Sequence, residues 1–141
     1  MMAEAIIKRV DEMDETIGDF IHQEFSRYGE QQGVILNYDK FCFIAENDDG
    51  TIIGAITGRA YYNEVHIGDL VVNKAYRGSG LGSRLVSTVE DSYRRKGCAF
   101  VTLTTFEFQA PEFYRKLGYE IEFIRKNENQ KLNKYFFRKD L

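Results

Sequence analysis

The 141-residue sequence is poor in the residues that build covalently linked or metal-bound cores, since it has only two cysteines and two histidines. It also has one proline and no tryptophan. Cys42 and Cys98 lie singly within β-branched and aromatic runs, and neither histidine is close to them along the chain. Their spacing supports neither a disulfide framework nor a zinc site. We therefore expect two buried core thiols and no metal cofactor.

The sequence also lacks any apolar run approaching the roughly 20 residues that span a bilayer. Its first residues, Met1-Met2-Ala3-Glu4, lack the basic region and apolar stretch of a targeting segment. No internal repeat, low-complexity stretch or flexible linker divides it. These absences predict one domain over residues 1–141, located in the cytoplasm, with neither a membrane nor a nucleic acid as its partner.

The residues that are present suffice for an ordinary core, since 43% are hydrophobic and the aromatic residues comprise 9 tyrosines and 11 phenylalanines. The net charge of −3 is unevenly divided: residues 1–73 hold 14 acidic and 5 basic residues, whereas residues 74–141 hold 8 and 14. Such a division favours a polyanionic ligand on the second half and a cationic ligand near the first. The alternative is that the charges only solvate different faces.

Hydrophobic periodicity predicts an α/β fold with a mixed sheet. Between β-type segments, Leu81, Leu85, Val89 and Tyr93 recur every four residues, as on one face of a helix. The predicted strands are Glu4–Val10, Lys40–Glu46, Thr51–Ala60, Val65–Val72, Cys98–Thr104, Tyr119–Lys126 and Asn133–Lys139. The predicted helices are Asp11–Tyr28, Gly80–Lys96 and Ala110–Leu117.

Local signals add detail to the predicted sheet. The segment Asn47–Gly50 ends in Asp-Gly, which predicts a hairpin between its flanking strands. Gly68 interrupts a strand and so indicates a bulge or the close approach of a ligand or of backbone. Cys98–Thr104 is a continuous β-branched run, which we expect to be buried on both faces and to run parallel to Val65–Val72 through a right-handed crossover.

The segment Arg77-Gly-Ser-Gly-Leu-Gly-Ser83 lies between a predicted strand and a predicted helix. Exposed backbone N–H groups and the positive helix end make such a turn an anion site, and its glycines let a phosphate approach closely. The absence of Gly-Lys-Ser/Thr excludes a P-loop, and Gly78-x-Gly80-x-x-Ser83 lacks the third glycine of a dinucleotide fold. The alternative is a glycine turn that only packs the helix tightly against the sheet.

Two segments carry a resemblance to a known family. Asp69–Ser83 resembles the signature segment of the GNAT superfamily of N-acetyltransferases, whose Arg/Gln-x-x-Gly-x-Gly/Ala pattern matches Arg77, Gly80 and Gly82. Gln109–Tyr119 resembles the later motif of that superfamily, with an alanine, a tyrosine and then a Gly-aromatic pair. The resemblance rests on motifs for residues 65–125 and on the order of elements for residues 1–64.

The resemblance implies a mixed, mostly antiparallel sheet of about seven strands with a splayed parallel pair at its centre, flanked by about four helices. Acetyl-CoA, as cosubstrate, would bind where the strands Val65–Val72 and Cys98–Thr104 separate. Its pyrophosphate would lie on the backbone amides of the glycine turn, and its pantetheine arm would pair with the first of these strands. The oligomeric state stays open, with a homodimer through the late strands as the state that the resemblance allows. The implied cofactor-binding residues are Leu70, Val71, Val72, Arg77, Gly78, Ser79, Gly80, Leu81, Gly82, Ser83, Glu107, Ala110 and Phe113.

Acetyl transfer to an amine needs stabilisation of the charge that develops on the acyl oxygen and a proton for the departing thiolate. Tyr114 matches the tyrosine that the superfamily places near the cofactor sulfur, and an ordinary phenol can protonate a thiolate of similar basicity. A backbone N–H of Val71 or Val72 would bind the oxygen. The alternative is that Tyr114 only packs beside Phe113.

The acceptor amine must also lose a proton, and His66 is the candidate base. It lies at the strand position where several members of the superfamily carry a glutamate or histidine base, and imidazole titrates in the useful range. If His66 is the base, kcat/KM is expected to rise with pH through an apparent pKa near or somewhat above 6.5. The alternative is a hydrogen-bonded structural histidine, with Glu64, Asp69 and Glu107 as other candidate bases. Glu107 lies where the superfamily commonly has asparagine, which leaves its cofactor contact open.

The acceptor itself has no motif. In this superfamily the acceptor site is built largely from the region corresponding to Ile17–Asp39 and from late strands. The acidic first half favours a cationic acceptor: a polyamine, an aminoglycoside-like compound, or a lysine or N-terminal amine of a peptide. Two other functions remain open, namely a sensor that binds acetyl-CoA without turnover and a nucleotide-binding protein that uses the glycine turn.

Overall fold

A computed structural model of the chain describes residues 4–141. They form two compact units, which divide between Leu36 and Asn37. None of the helices among the described residues is long and apolar enough to cross a membrane.

The first unit contains one helix, α1, over Glu15–Gln31. Asp14 caps it, because its Oδ1 accepts a hydrogen bond from the backbone N–H of Ile17 at 2.9 Å. The prediction started this helix too early, at Asp11, because the acidic residues before Asp14 also suit the start of a helix. Residues 4–10 were predicted as a strand, and this prediction is wrong: they form none. Their apolar residues suit a strand, but a strand exists only through backbone pairing with a neighbour.

The second unit is built on one six-stranded sheet in the order β1-β2-β3-β4-β6-β5. All neighbouring strands are antiparallel except β3 and β4, which are parallel. Its strands are β1 (Asp39–Glu46), β2 (Ile52–Tyr61), β3 (Glu64–Val72), β4 (Phe100–Phe106), β5 (Glu120–Arg125) and β6 (Lys134–Asp140). Its helices are α2 (Leu81–Arg95) and α3 (Pro111–Lys116). The described residues thus hold six strands and three helices, against about seven and about four predicted.

The central parallel pair separates after three residues. Glu64, Val65 and His66 of β3 pair with the first three residues of β4, and no further pairs form. The remainder of β3, up to Val72, follows β2, while the remainder of β4 follows β6 through its whole length. The two strands therefore open like a V whose apex is at His66.

One face of the sheet packs against α2 and forms the core. Alternate residues of each strand point to that face, as the pleat of a strand requires. The largest fully buried side chains are Tyr93, Phe137, Ile56, Leu103, Val65, Val86, Val89 and Val101.

The same alternation corrects two predictions about burial. Cys42 is exposed, because it points away from the face that its neighbours Phe41 and Phe43 share, while Cys98 is partly buried. β4 is fully buried on one face only, since the residues between its buried positions are partly exposed. A β-branched run therefore did not require two covered faces.

The bulge predicted at Gly68 is present. The β2–β3 register shifts between Thr57 and Gly58, which leaves Gly68 without a partner residue. Gly58 is the position where no side chain fits: a Cβ there would overlap the carbonyl oxygen of His66 and the ring of Phe41. A Cβ on Gly68 would meet only ordinary contacts of 3.5 to 3.9 Å.

Gly58→Ala should therefore destabilise the protein by about 1–3 kcal/mol, the usual cost of overpacking. Gly68→Ala, on the facing strand of the same bulge, should change the free energy of unfolding by less than about 0.5 kcal/mol. Urea denaturation of both variants measures the difference. Equal stability of the two would mean that the bulge adjusts freely and that Gly58 is not required by packing.

Candidate active site

A cavity of about 460 Å³ lies at the end of β3, beyond the residues through which that strand pairs with β4. The end of β3 forms one wall, the turn before α2 and the first turn of that helix form another, and the start of α3 closes it. Its lining residues are Leu70, Val72, Tyr76, Arg77, Gly78, Gly80, Leu81, Gly82, Ser83, Ala110 and Phe113.

Backbone conformation gives the glycine turn its shape. Gly78 and Gly80 have φ of +81° and +83°, in the left-handed region that residues with a Cβ rarely adopt. No heavy atom lies within 4 Å of where a Cβ would stand on either residue, so this side of the turn is open. The Ser79 hydroxyl donates to the carbonyl of Tyr76 at 2.6 Å and fixes the turn from within. The turn therefore presents bare backbone to the cavity.

The N-terminus of α2 supplies unpaired donors. Gly80 is the N-cap without a side-chain hydrogen bond, and the N–H of Arg84 is the first to bond back, to the Gly80 carbonyl at 3.1 Å. The N–H groups of Leu81, Gly82 and Ser83 have no acceptor within the helix. No acidic residue lies in the first turn. Together with the positive end of the helix dipole, these groups form a site for an anion.

The edge of β3 that faces the opening supplies further donors. The N–H of Asn73 donates to the carbonyl of Ile53 in β2. By the alternation of a ladder, the N–H of Val71 also points to β2, whereas those of Leu70 and Val72 point into the opening. Of the two amides predicted to stabilise an oxyanion, the register thus leaves that of Val72 free.

Ten of the thirteen residues predicted to bind the cofactor line this one cavity. Val71 does not, because its side chain is 60% exposed on the opposite face of β3. Ser79 contributes through the shape of the turn, and Glu107 lies elsewhere. Tyr76 lines the cavity and was missed, although its position next to the glycine turn was a usable signal.

Arg77 ties the turn to the strand. Its side-chain Nε donates to the carbonyl of Val72 at 3.0 Å, and the residue lines the cavity. The positive charge of this residue is therefore held at the end of β3, beside the free amides.

Tyr114 lies on α3 directly after Phe113, and it is only 8% exposed. Its ring packs edge-on against Phe113 and Tyr119 and lies beside Phe137, with centroid distances of 5.0, 5.9 and 6.2 Å. Burial raises the pKa of its hydroxyl to about 12, so the phenol stays protonated at all ordinary pH values. A phenol of this pKa is a weaker acid than the ordinary tyrosine assumed from the sequence.

A polar cluster supports the aromatic rings below Tyr114. The Tyr119 hydroxyl donates to the buried carboxylate of Glu90 at 2.8 Å, and Lys139 forms an ion pair with the same carboxylate at 3.1 Å. Burial and the adjacent charge of Glu90 raise the pKa of Tyr119 well above its ordinary value. Glu90 is thus satisfied from two directions, which its burial requires.

Glu107 lines a second cavity, of about 400 Å³, that shares Ala110 and Phe113 with the first. Its carboxylate accepts a hydrogen bond from the hydroxyl of Tyr135, which raises the pKa of that tyrosine. The structure therefore places Glu107 beside the cavity predicted to hold the cofactor and does not bring it into the wall.

His66 stands at the apex of the opening, partly buried, on the face of the sheet opposite to the core. Its Nδ1 lies 2.9 Å from the hydroxyl oxygen of Thr102. Burial, together with the charges of Arg59 and Lys134, lowers its pKa below the ordinary 6.5, although Glu64 acts in the opposite direction. If His66 is the base, this shift places its limb in the pH profile lower than the position near or somewhat above 6.5 that the sequence predicted.

His66 and Tyr114 lie on opposite faces of the sheet. Tyr114 packs on Phe137, which pairs with Leu103, and Leu103 points away from the face that Thr102 shares with His66. Groups on both faces can meet only where the sheet is interrupted, which is the opening between β3 and β4.

Asp69, another candidate base, accepts a hydrogen bond from the Thr57 hydroxyl at 3.1 Å.

Comparison with known proteins agrees with this geometry. The family model described as "Acetyltransferase (GNAT) family" matches residues 9–119. A solved acetyltransferase from Bacillus cereus is 30% identical, covers 95% of this chain and 98% of that one, and superposes with a TM-score of 0.77.

Two further relatives are informative. The chain is 37% identical over 73 residues to a blasticidin-S acetyltransferase of Streptomyces morookaense, a match that spans 51% of this chain and 54% of that protein. The chain thus spans about half the length of this curated relative. An acetyltransferase structure from Bacillus anthracis, solved in complex with acetyl coenzyme A, shares the fold at 24% identity, with 73% of this chain and 63% of that chain covered and a TM-score of 0.65.

Proposed function

The chain belongs to the GNAT family of acetyltransferases, and on that premise we propose that it transfers the acetyl group of acetyl-CoA directly to a primary amine. The cavity at the opening of β3 and β4 is the observation that carries the proposal. One end offers the unpaired N–H groups of the first turn of α2, and the other offers the free amides on the edge of β3. Apolar side chains of Leu70, Val72 and Phe113 lie between them.

This donor set fits the chemistry of coenzyme A. A pyrophosphate is matched by helix N-terminal amides and by glycines that allow a close approach. A pantetheine arm, with its two amides on a slender chain, is matched by a strand edge whose N–H and C=O groups have no neighbouring strand. The excess of basic residues in the second half of the chain favours the same polyanion. The relative solved with acetyl coenzyme A supports the assignment.

The residues around the opening supply three functions. The Nε2 atom of His66 accepts the proton that the acceptor amine must lose. The N–H of Val72 donates to the acyl oxygen as charge develops on it. The hydroxyl of Tyr114 donates its proton to the departing sulfur. The bond from the acyl carbon to sulfur breaks as the bond to nitrogen forms, without a covalent bond to the protein, and the second N–H proton that the acceptor nitrogen loses restores the Tyr114 phenol.

The acceptor is a primary amine of a small or peptidyl molecule. The blasticidin-S acetyltransferase relative supports a small molecule. Around His66, however, Arg59 and Lys134 contribute positive charge and Glu64 contributes negative charge, so the local field does not favour a cation uniformly. A useful panel therefore includes di-cationic amines, amino sugars with and without a phosphate, and peptides with a free N-terminus.

The test is release of CoA from acetyl-CoA with each amine, combined with mass spectrometry of the acceptor. We expect CoA release to require an amine and to match the amount of acetylated product. An acetylated protein formed before any amine is added would contradict direct transfer. Tight binding of acetyl-CoA without turnover of any amine would favour the non-catalytic sensor instead.

A further inference from the structure

A chain of two hydrogen bonds crosses the parallel pair at the apex of the opening. The Nδ1 atom of His66 in β3 lies 2.9 Å from the Oγ1 atom of Thr102 in β4, and that hydroxyl lies 3.1 Å from Oε2 of Glu64. His66 and Thr102 are partners in the register, and Glu64 precedes His66 by two residues on the same face of β3. The three side chains are thus held by the only paired part of β3 and β4.

The direction of these bonds fixes the position of a proton. A carboxylate only accepts hydrogen bonds, so the Thr102 hydroxyl must donate its single hydrogen to Glu64. The same oxygen can then only accept from the His66 ring, which requires a hydrogen on Nδ1. Neutral His66 is therefore the Nδ1–H tautomer, with the lone pair on Nε2. Nε2 forms no hydrogen bond within residues 37–141, the unit to which His66 belongs.

We propose that Thr102 and Glu64 are positioning residues that hold His66 as the Nδ1–H tautomer and so make Nε2 the atom that takes the proton of the acceptor amine. This proposal deepens the proposed function and rests on it. In the step, the lone pair of Nε2 accepts one proton from the ammonium form of the acceptor, and the nitrogen of the acceptor keeps the electron pair of its broken N–H bond. The imidazolium that forms keeps its Nδ1–H bond to Thr102.

The charges facing His66 come from three strands. Arg59 on β2 and Lys134 on β6 disfavour the imidazolium, whereas the charge of Glu64 on β3 favours it. Arg138, on the β6 position that pairs with Thr102, has partners of its own in Glu122 and Asp140. Because burial and the cations together outweigh Glu64, the pKa of His66 lies below 6.5 and the neutral base predominates at pH 7.

The tautomer can be observed directly by long-range ¹H–¹⁵N NMR of the imidazole rings at pH 8, without any substrate. The chain has two histidines, so His22→Gln assigns the spectrum. We expect His66 to carry its hydrogen on Nδ1. Thr102→Val keeps the shape of the side chain but removes the acceptor, and should shift the proton to Nε2 or mix the two forms. Thr102→Ser should restore the wild-type pattern.

Thr104→Val is the matched control, since Thr104 lies on the same face of β4, two residues further along. It should leave the tautomer of His66 unchanged. Thermal melting of each variant shows whether it folds.

Kinetics separate positioning from a structural role. With acetyl-CoA saturating, kcat of Thr102→Val should fall roughly 10-fold or more, a part of the 10²–10⁴ that a positioned base contributes. KM for acetyl-CoA should not change, and Thr102→Ser should recover most of the rate.

Glu64→Gln keeps an oxygen for Thr102 but removes the negative charge. The tautomer of His66 should therefore persist, while the acid limb of kcat/KM moves roughly one unit lower in pH.

The outcomes distinguish this proposal from the proposed function. A wild-type His66 with its hydrogen on Nε2 overturns the hydrogen-bond chain. The expected tautomer combined with normal turnover and pH profile in Thr102→Val overturns the positioning role. An acid limb that follows the pKa of two different acceptor amines and survives His66→Gln overturns His66 as the base. Absence of turnover in the wild-type protein with every amine contradicts the proposed function itself, whatever the tautomer.

Discussion

Gly80→Asp should abolish the stabilisation of the protein by CoA while the free protein still folds. At a hundredfold excess over Kd, a ligand that binds only the folded state stabilises it by about 2.7 kcal/mol, which a melting curve detects easily. The new carboxylate would stand at the N-cap of α2, where the free amides lie, and would repel a pyrophosphate there. No atom lies within 4 Å of the new Cβ, so packing does not oppose the change.

Gly97→Asp is the matched control. Gly97 also has a left-handed φ, of +87°, and also has open space around its Cβ position, but it follows the C-terminus of α2. Both variants pay a similar backbone cost, and only the first places charge at the cavity. The shift in melting temperature on adding CoA should vanish in Gly80→Asp and persist in Gly97→Asp. A CoA-induced shift that survives in Gly80→Asp would remove the glycine turn from the binding site.

Tyr114→Phe should lower kcat by about 10²-fold while leaving CoA affinity and the melting temperature nearly unchanged. The substitution removes one hydroxyl and keeps the ring contacts with Phe113, Tyr119 and Phe137. Because its pKa is about 12, Tyr114 should cause no loss of rate on the alkaline side below about pH 10. Steady-state kinetics and CoA-dependent melting measure both properties.

Tyr119→Phe provides the opposite pattern. The Tyr119 hydroxyl donates to Glu90, so its removal leaves a buried carboxylate with Lys139 as its remaining partner. We expect a loss of about 1–3 kcal/mol in stability with turnover retained. Equal rates for Tyr114→Phe and wild type would mean that Tyr114 only packs and that the sulfur leaves with a proton from water.

Local signals in the sequence predicted most of the second unit. The glycine turn between β3 and α2 could be predicted because Gly78 and Gly80 adopt conformations that depend on the residue type itself. The hairpin after β1 is local for the same reason, because Gly50 has a φ of +85°. The ten residues that line the cavity were expected from the resemblance to the GNAT superfamily, and two of them, Ala110 and Phe113, come from the start of α3 and not from the glycine turn.

Properties that depend on register or on a partner could not be predicted from the sequence. The choice between the amides of Val71 and Val72 depends on which of them faces β2. The exposure of Cys42 depends on which face of β1 the sheet covers. The pairing of His66 with Thr102, 36 residues away, exists only because β3 and β4 are parallel in one register. The spacing of residues along the sequence therefore could not indicate this contact.

The most direct test of the acetyl-CoA site is a titration of the ¹⁵N-labelled protein with CoA, followed through its backbone amide resonances. The account predicts that the largest shifts occur at Leu81, Gly82 and Ser83, with a second group at Leu70 and Val72. ATP at the same concentration should produce small shifts or none. Shifts confined to residues outside this cavity, or equal shifts with ATP and CoA, would contradict the assignment of this opening to acetyl-CoA.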